Sequence, residues 1–191
     1  MKTTVFIVMF ALIFSASIFA QNRFTVAALT GYTMSAFEDQ EDAAGTLPIG
    51  VQVGYKAAPN LEVGAEFNYA LGGFDFETDY LGAKLTTSFN QTIFGIFGKY
   101  HFTENILKPY AKLGIGYYTG DIDLEYEWEG DKQSGTSEVD PAIGFNLGAG
   151  LIQSAKGFFA EFNYHIVTRK VEGESGGMNS WAILVGYKFI R

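Results

Sequence analysis

Trp181 to Ile190, just before the terminal Arg191, constrain the fold more than any other stretch. Every second residue there is apolar or aromatic: Trp181, Ile183, Val185, Tyr187 and Phe189. Between them stand Ala182, Leu184, Gly186, Lys188 and Ile190. A period of two marks a strand with two unlike faces. A strand this oily on one face cannot end a chain unpaired in water, because its edge and its apolar row both need partners. The pattern predicts that it closes a barrel against the first strand, with the oily row turned to lipid.

Seven earlier segments alternate in the same way. They run over Phe24–Thr33, Ile49–Ala57, Leu61–Ala70, about Gln91–Phe102, Tyr110–Gly120, Ala142–Gln153 and Phe158–Val167. The connections alternate in length. Ala58–Asn60, Thr103–Pro109 and Ser154–Gly157 are short; Ser35–Pro48, Leu71–Asn90, Asp121–Pro141 and Thr168–Asn179 are long. An even number of strands of about ten residues, with short turns on one side and long loops on the other, is the pattern of a membrane-spanning barrel. The outer parts of the long connections, such as Gly73–Glu77 and Asp121–Trp128, also alternate and are expected to continue as strand beyond the membrane.

Alternation alone does not say which face is outside. A soluble barrel of the lipocalin sort would turn its apolar face inward. Here the less oily face carries Gly50, Gly54, Gly64, Gly95, Gly114, Gly116, Gly144, Gly148, Gly150 and Gly186. So many glycines weaken an exposed strand but suit a narrow interior. The oily face carries Tyr55, Tyr100, Phe102, Phe158, Tyr187 and Phe189 near the short turns, and Tyr32, Tyr69, Tyr117 and Tyr164 near the other end. Two bands of rings flanking aliphatic residues form the girdles of two membrane interfaces. The fold class expected is therefore all-β: an eight-stranded antiparallel up-and-down transmembrane barrel.

The N-terminus reads differently. Lys2, the apolar run Val5–Phe14 and the mostly small residues Ser15–Ala20 suggest a secretory signal peptide over residues 1–20, leaving a barrel domain over 21–191. With no cysteine in the chain, disulfides and thiolate metal sites are excluded. A net charge of −8 provides no basic face for nucleic acid.

With these residues in view, the chain resembles the small eight-stranded outer-membrane barrels of the OmpX and OmpA transmembrane-domain type. Lys108–Tyr118, KPYAKLGIGYY, is similar to a fifth-strand motif of that superfamily, and the ending VGYKFIR is similar to its terminal assembly signal. The terminal match departs in one respect: Phe189 is followed by Ile190 and Arg191, where the family finishes on an aromatic ring. The resemblance implies a monomer in the bacterial outer membrane. Its partners would be membrane lipid, lipopolysaccharide and, through the last strand, the barrel assembly machinery.

Two groups of residues are candidates for function. Inward positions hold Glu62, Glu66 and Glu161 with Lys56, Lys99, Lys112 and Lys188. Unpaired charges in so narrow a space are costly, so an ion-paired plug is expected, joined by Gln52, Asn68, Asn146 and Asn163. The long connections are acidic, with Glu38, Asp39, Glu41 and Asp42 in one cluster and Asp121, Asp123, Glu125, Glu127 and Glu129 alternating in another. Carboxylates so placed could hold a divalent cation, but the spacing is not that of an EF-hand, and no metal or cofactor is expected. Of the two histidines, His101 has no serine near it, and His165 has only Thr168 and loop acids, so no enzyme is expected. The reading is a structural or surface-interaction role through the acidic loops. The alternatives are a narrow porin, a lipid-modifying enzyme and a soluble binding barrel.

Overall fold

The computed structural model describes residues 23–37, 44–71, 74–80, 83–128, 131–171 and 174–190. The expected signal peptide and the Glu38–Asp42 cluster lie outside the described residues. The strands are β1 (Phe24–Phe37), β2 (Ala44–Ala58), β3 (Leu61–Leu71), β4 (Phe74–Tyr80), β5 (Ala83–His101), β6 (Leu107–Trp128), β7 (Asp131–Gln153), β8 (Phe158–Val171) and β9 (Glu174–Ile190).

All pairings are antiparallel, and β3 and β4 both pair with β5, so they are two lengths of one stave. The ring thus has eight staves and closes where β1 meets β9, from Thr25 opposite Ile190 to Phe37 opposite Met178. Closure removes the free edge that the terminal strand would otherwise present, and β9 is laddered on both sides, to β1 and to β8.

Two staves run well past the membrane segments. The fifth expected strand, Tyr110–Gly120, continues as the 22-residue β6 through Asp121–Trp128, as the alternation there indicated, and the sixth, Ala142–Gln153, belongs to the 23-residue β7. The first residues of β7, Asp131–Val139, were not expected as strand; they complete a hairpin with β6 that projects from the barrel. At its base the register shifts: Tyr118 pairs with Ala142 and Gly120 with Val139, leaving Asp140 and Pro141 opposite one residue. Pro141 has no N–H for the ladder, and a bulge is where a strand tolerates that.

The short turns are as short as expected. Gly157 in the β7–β8 turn has φ of +76°, the left-handed region, and its carbonyl accepts from Lys188 N at 2.7 Å. An added Cβ there would lie on the Lys188 carbonyl, so the position needs glycine on both counts.

The faces divide as the glycines suggested. Ile96 and Ile143 on the outer wall are 65% and 71% exposed, and Leu113, Ile115, Phe145, Leu147, Phe162, Ile183 and Val185 stand out beside them. Such an area of bare aliphatic surface belongs against lipid. Rings flank it at both ends. Phe158 and Phe189 each contact Tyr187 at 5.1 Å near the short turns, while Tyr32 meets Trp181 at 6.2 Å near the long hairpins.

Candidate functional site

The inward face of the staves is filled, and its centre is Glu161 on β8. Its carboxylate accepts from Lys99 Nζ at 2.6 Å, Tyr110 Oη at 2.7 Å, Asn163 Nδ2 at 2.8 Å and Lys112 Nζ at 2.9 Å. Lys112 also donates to Glu66 at 2.6 Å, and Glu66 accepts from Asn146 Nδ2 at 2.7 Å and Gln52 Nε2 at 3.2 Å. Nearer the short turns Glu62 pairs with Lys188, accepts from Thr25 Oγ1 at 2.7 Å and faces His101 Nε2 at 3.6 Å. Three carboxylates thus face three ammonium groups, and all six residues are buried.

Neutrality is what allows ions in so dry a space. Each of these buried charges has an opposite partner, and all but Lys188 have more than one such bond, which offsets the desolvation cost. The strands supply these groups from different staves: Gln52 from β2, Glu62 and Glu66 from β3, Lys99 from β5, Lys112 from β6, Glu161 from β8 and Lys188 from β9. Glycine makes the room. A Cβ on Gly148 would collide with Asn163 Oδ1, and one on Gly150 would lie 2.5 Å from the Tyr110 ring.

The seven charged residues singled out from the sequence do not all meet. Lys56 lies opposite Glu62 in register but makes no ion pair among the described residues, because Lys188 occupies that carboxylate. Asn68 also stands outside the network and lines a small cavity higher in the bore. The sequence reading missed the aromatic packing around the ions. The Lys99 ammonium sits 4.8 Å from the Tyr110 ring centre, 5.1 Å from Phe97 and 5.3 Å from Phe159. Rings at that distance attract the cation with their π faces. The signal was present: Phe97 and Phe159 fall on the same alternate positions as Lys99 and Glu161.

His165 occupies the other half of the bore, with Nδ1 2.8 Å from Tyr118 Oη. Ser180 lies directly across the ladder from it, a neighbour that the sequence reading did not see. Thr168, which that reading placed beside His165, falls on the opposite face of β8 and is exposed. The adjoining cavity measures about 30 Å³, room for water but not for a substrate.

Beyond the bulge, the outer face of β6 changes character. Leu113, Ile115 and Tyr117 give way on the same side to Asp121, Asp123, Glu125 and Glu127. Asp123 accepts from Thr136 Oγ1 at 2.6 Å and Asn90 Nδ2 at 3.1 Å. Lys132 bridges Glu125 at 2.7 Å and Glu127 at 3.3 Å, and these bonds, the one to Glu125 foremost, raise its pKa above that of a free lysine. Among the described residues no three acidic or histidine side chains converge to hold a metal ion.

Eight closed antiparallel staves, a belt of outward aliphatic residues between two bands of rings and a filled polar bore define a transmembrane β-barrel of the bacterial outer membrane. The chain belongs to the outer membrane protein beta-barrel domain family, whose model matches residues 6–189. Solved structures agree on the fold. The Neisserial surface protein A structure matches with a TM-score of 0.62 at 15% identity, over 88% of this chain and 97% of that one. The attachment invasion locus protein Ail of Yersinia pestis matches with a TM-score of 0.54 at 15% identity, over 87% and 99%. OprG of Pseudomonas aeruginosa matches at 0.50 and 15%, over 89% and 98%. A search of curated proteins by sequence returned no match.

One expectation is corrected by these comparisons. No enzyme was expected from the sequence, but the similar structures include the outer membrane protease OmpT of Escherichia coli, at 11% identity and a TM-score of 0.42. Membership of the outer-membrane barrel family does not settle whether the chain is an enzyme, and that expectation is withdrawn.

Proposed function

We propose that this protein acts at the cell surface by contact, through the acidic strand extensions of a barrel whose bore is sealed by its own ions. One observation carries the reading: the outer face of β6 turns from lipid-facing Leu113, Ile115 and Tyr117 to Asp121, Asp123, Glu125 and Glu127. In outer-membrane barrels the long hairpins face the exterior and the short turns the periplasm. The acidic row then stands just outside the lipid, on a rigid ladder that holds its spacing. The six paired ions and surrounding rings leave the bore little free space, which favours contact over passage.

A surface of this charge selects cationic partners and repels polyanions. One Ail structure holds the heparin analogue sucrose octasulfate; a ligand of that charge does not suit the acidic face here. The partner this surface fits is a basic protein segment, drawn in by charge and sensitive to salt. Cells displaying the chain are expected to bind a labelled lysine-rich peptide, and Asp121→Asn, Asp123→Asn, Glu125→Gln and Glu127→Gln together to abolish most of that binding. Undiminished binding by the quadruple variant would remove the proposal.

A further inference from the structure

The bore opens at its short-turn end into a cavity of about 260 Å³, lined in part by Lys56, Lys108, Lys188, His101 and Glu62. The charges here do not cancel as they do deeper in. Glu62 is engaged by Lys188 and by the Thr25 hydroxyl. Lys56 and Lys108 make no ion pair among the described residues, and Nδ1 of His101 is buried without a hydrogen-bond partner. The cavity is therefore a hollow with two uncompensated ammonium groups and one unmet ring nitrogen, walled by protein that focuses their field.

We propose that this cavity is a binding site for a small, multiply charged oxyanion of the phosphate class. The two ammonium groups arrive from separate staves: Lys56 from β2 and Lys108 from β6. A tetrahedral oxyanion presents oxygens in several directions, so it can meet both at once, whereas a planar carboxylate presents two in one plane. Lysine ammonium groups on flexible stems are suited to such a charge. The volume leaves room for a phosphate or phosphomonoester with some of its water. The periplasmic position gives two sources of the same chemistry, a free phosphate and the headgroup of an inner-leaflet phospholipid at the rim.

The test uses the protein purified from outer membranes in nonionic detergent at low ionic strength, titrated calorimetrically with inorganic phosphate. Saturable one-site binding is expected. Lys56→Met with Lys108→Met should weaken it by about tenfold or more, since both removed charges would lie near the anion in a partly desolvated hollow. Lys156→Met removes an equal charge from the exposed β7–β8 turn on the same side and should leave binding unchanged. Heat-modifiable gel mobility confirms that each variant is folded. Absence of saturable heat, or a loss with Lys156→Met equal to half or more of that in the double variant, overturns the site. Nanodiscs with and without anionic phospholipid then separate the sources: competition by the anionic lipid assigns the headgroup, and equal phosphate binding in both assigns the free anion.

Discussion

Replacing Glu161 by Gln keeps the side chain's shape and removes its charge. Lys112 would retain Glu66 at 2.6 Å, but Lys99 would lose the one carboxylate it pairs with. The bore would then hold three ammonium groups against two carboxylates, with one cation buried and unpaired. Breaking a buried pair from one side in this way costs about 3–5 kcal/mol. The amide nitrogen would also face donors, adding an unmet hydrogen bond that overlaps with the same loss. A destabilisation of about 4 kcal/mol is expected, close to a thousandfold in the folding equilibrium. Reversible denaturant unfolding in phospholipid vesicles, followed by tryptophan fluorescence, measures it. Adding Lys99→Met to Glu161→Gln restores neutrality and should recover a large part of the loss, because the orphaned cation is gone. Planar-bilayer recording supplies a second reading, with no large steady current expected from the unaltered protein. A Glu161→Gln variant within about 0.5 kcal/mol of the parent, or a double variant as unstable as the two single losses summed, would refute the reasoning.

Two further outcomes follow from the packing. Gly150→Ala places a methyl group 2.5 Å from the Tyr110 ring and 2.6 Å from the Ala160 carbonyl, so it should cost about 1–3 kcal/mol, while Gly135→Ala, with open space around it, should be silent in the same unfolding assay. Ile115→Arg puts a charge on the outer wall and should cost about 2–4 kcal/mol in vesicles if the site lies near the mid-plane of the bilayer; no penalty would mean that this face does not meet lipid.

How much of this was legible beforehand differs from element to element. The inward and outward rows of β9 could be read residue by residue, because a strand's side chains alternate whatever its neighbours do. The membrane parts of β6 and β7 were legible for the same reason, and so was the outer run of β6, because Asp121–Trp128 still alternates. The outer run of β7 was not: Asp131–Val139 is polar at nearly every position and carries no two-residue period of hydrophobicity. Of the inward ion network, the residue types and their shared face were visible, yet the pairing was not: nothing in the one-dimensional order says that Glu62 takes Lys188 and not Lys56. Ser180 lies beside His165 only through the β8–β9 ladder.

The sequence by itself determined that the chain forms alternating strands, that their number closes a ring, and that the oily rows face outward while glycines and ions face inward. Those are local properties, set by a two-residue period and by the room each side chain needs. Only the tertiary structure decided which ions neutralise one another, where cations are left over at the short-turn mouth, and how far the β6–β7 hairpin runs beyond the barrel. The physical reason is register: ion partners separated by as many as 126 residues meet only once eight staves are aligned, and sliding one stave by a single residue would turn its ions toward lipid.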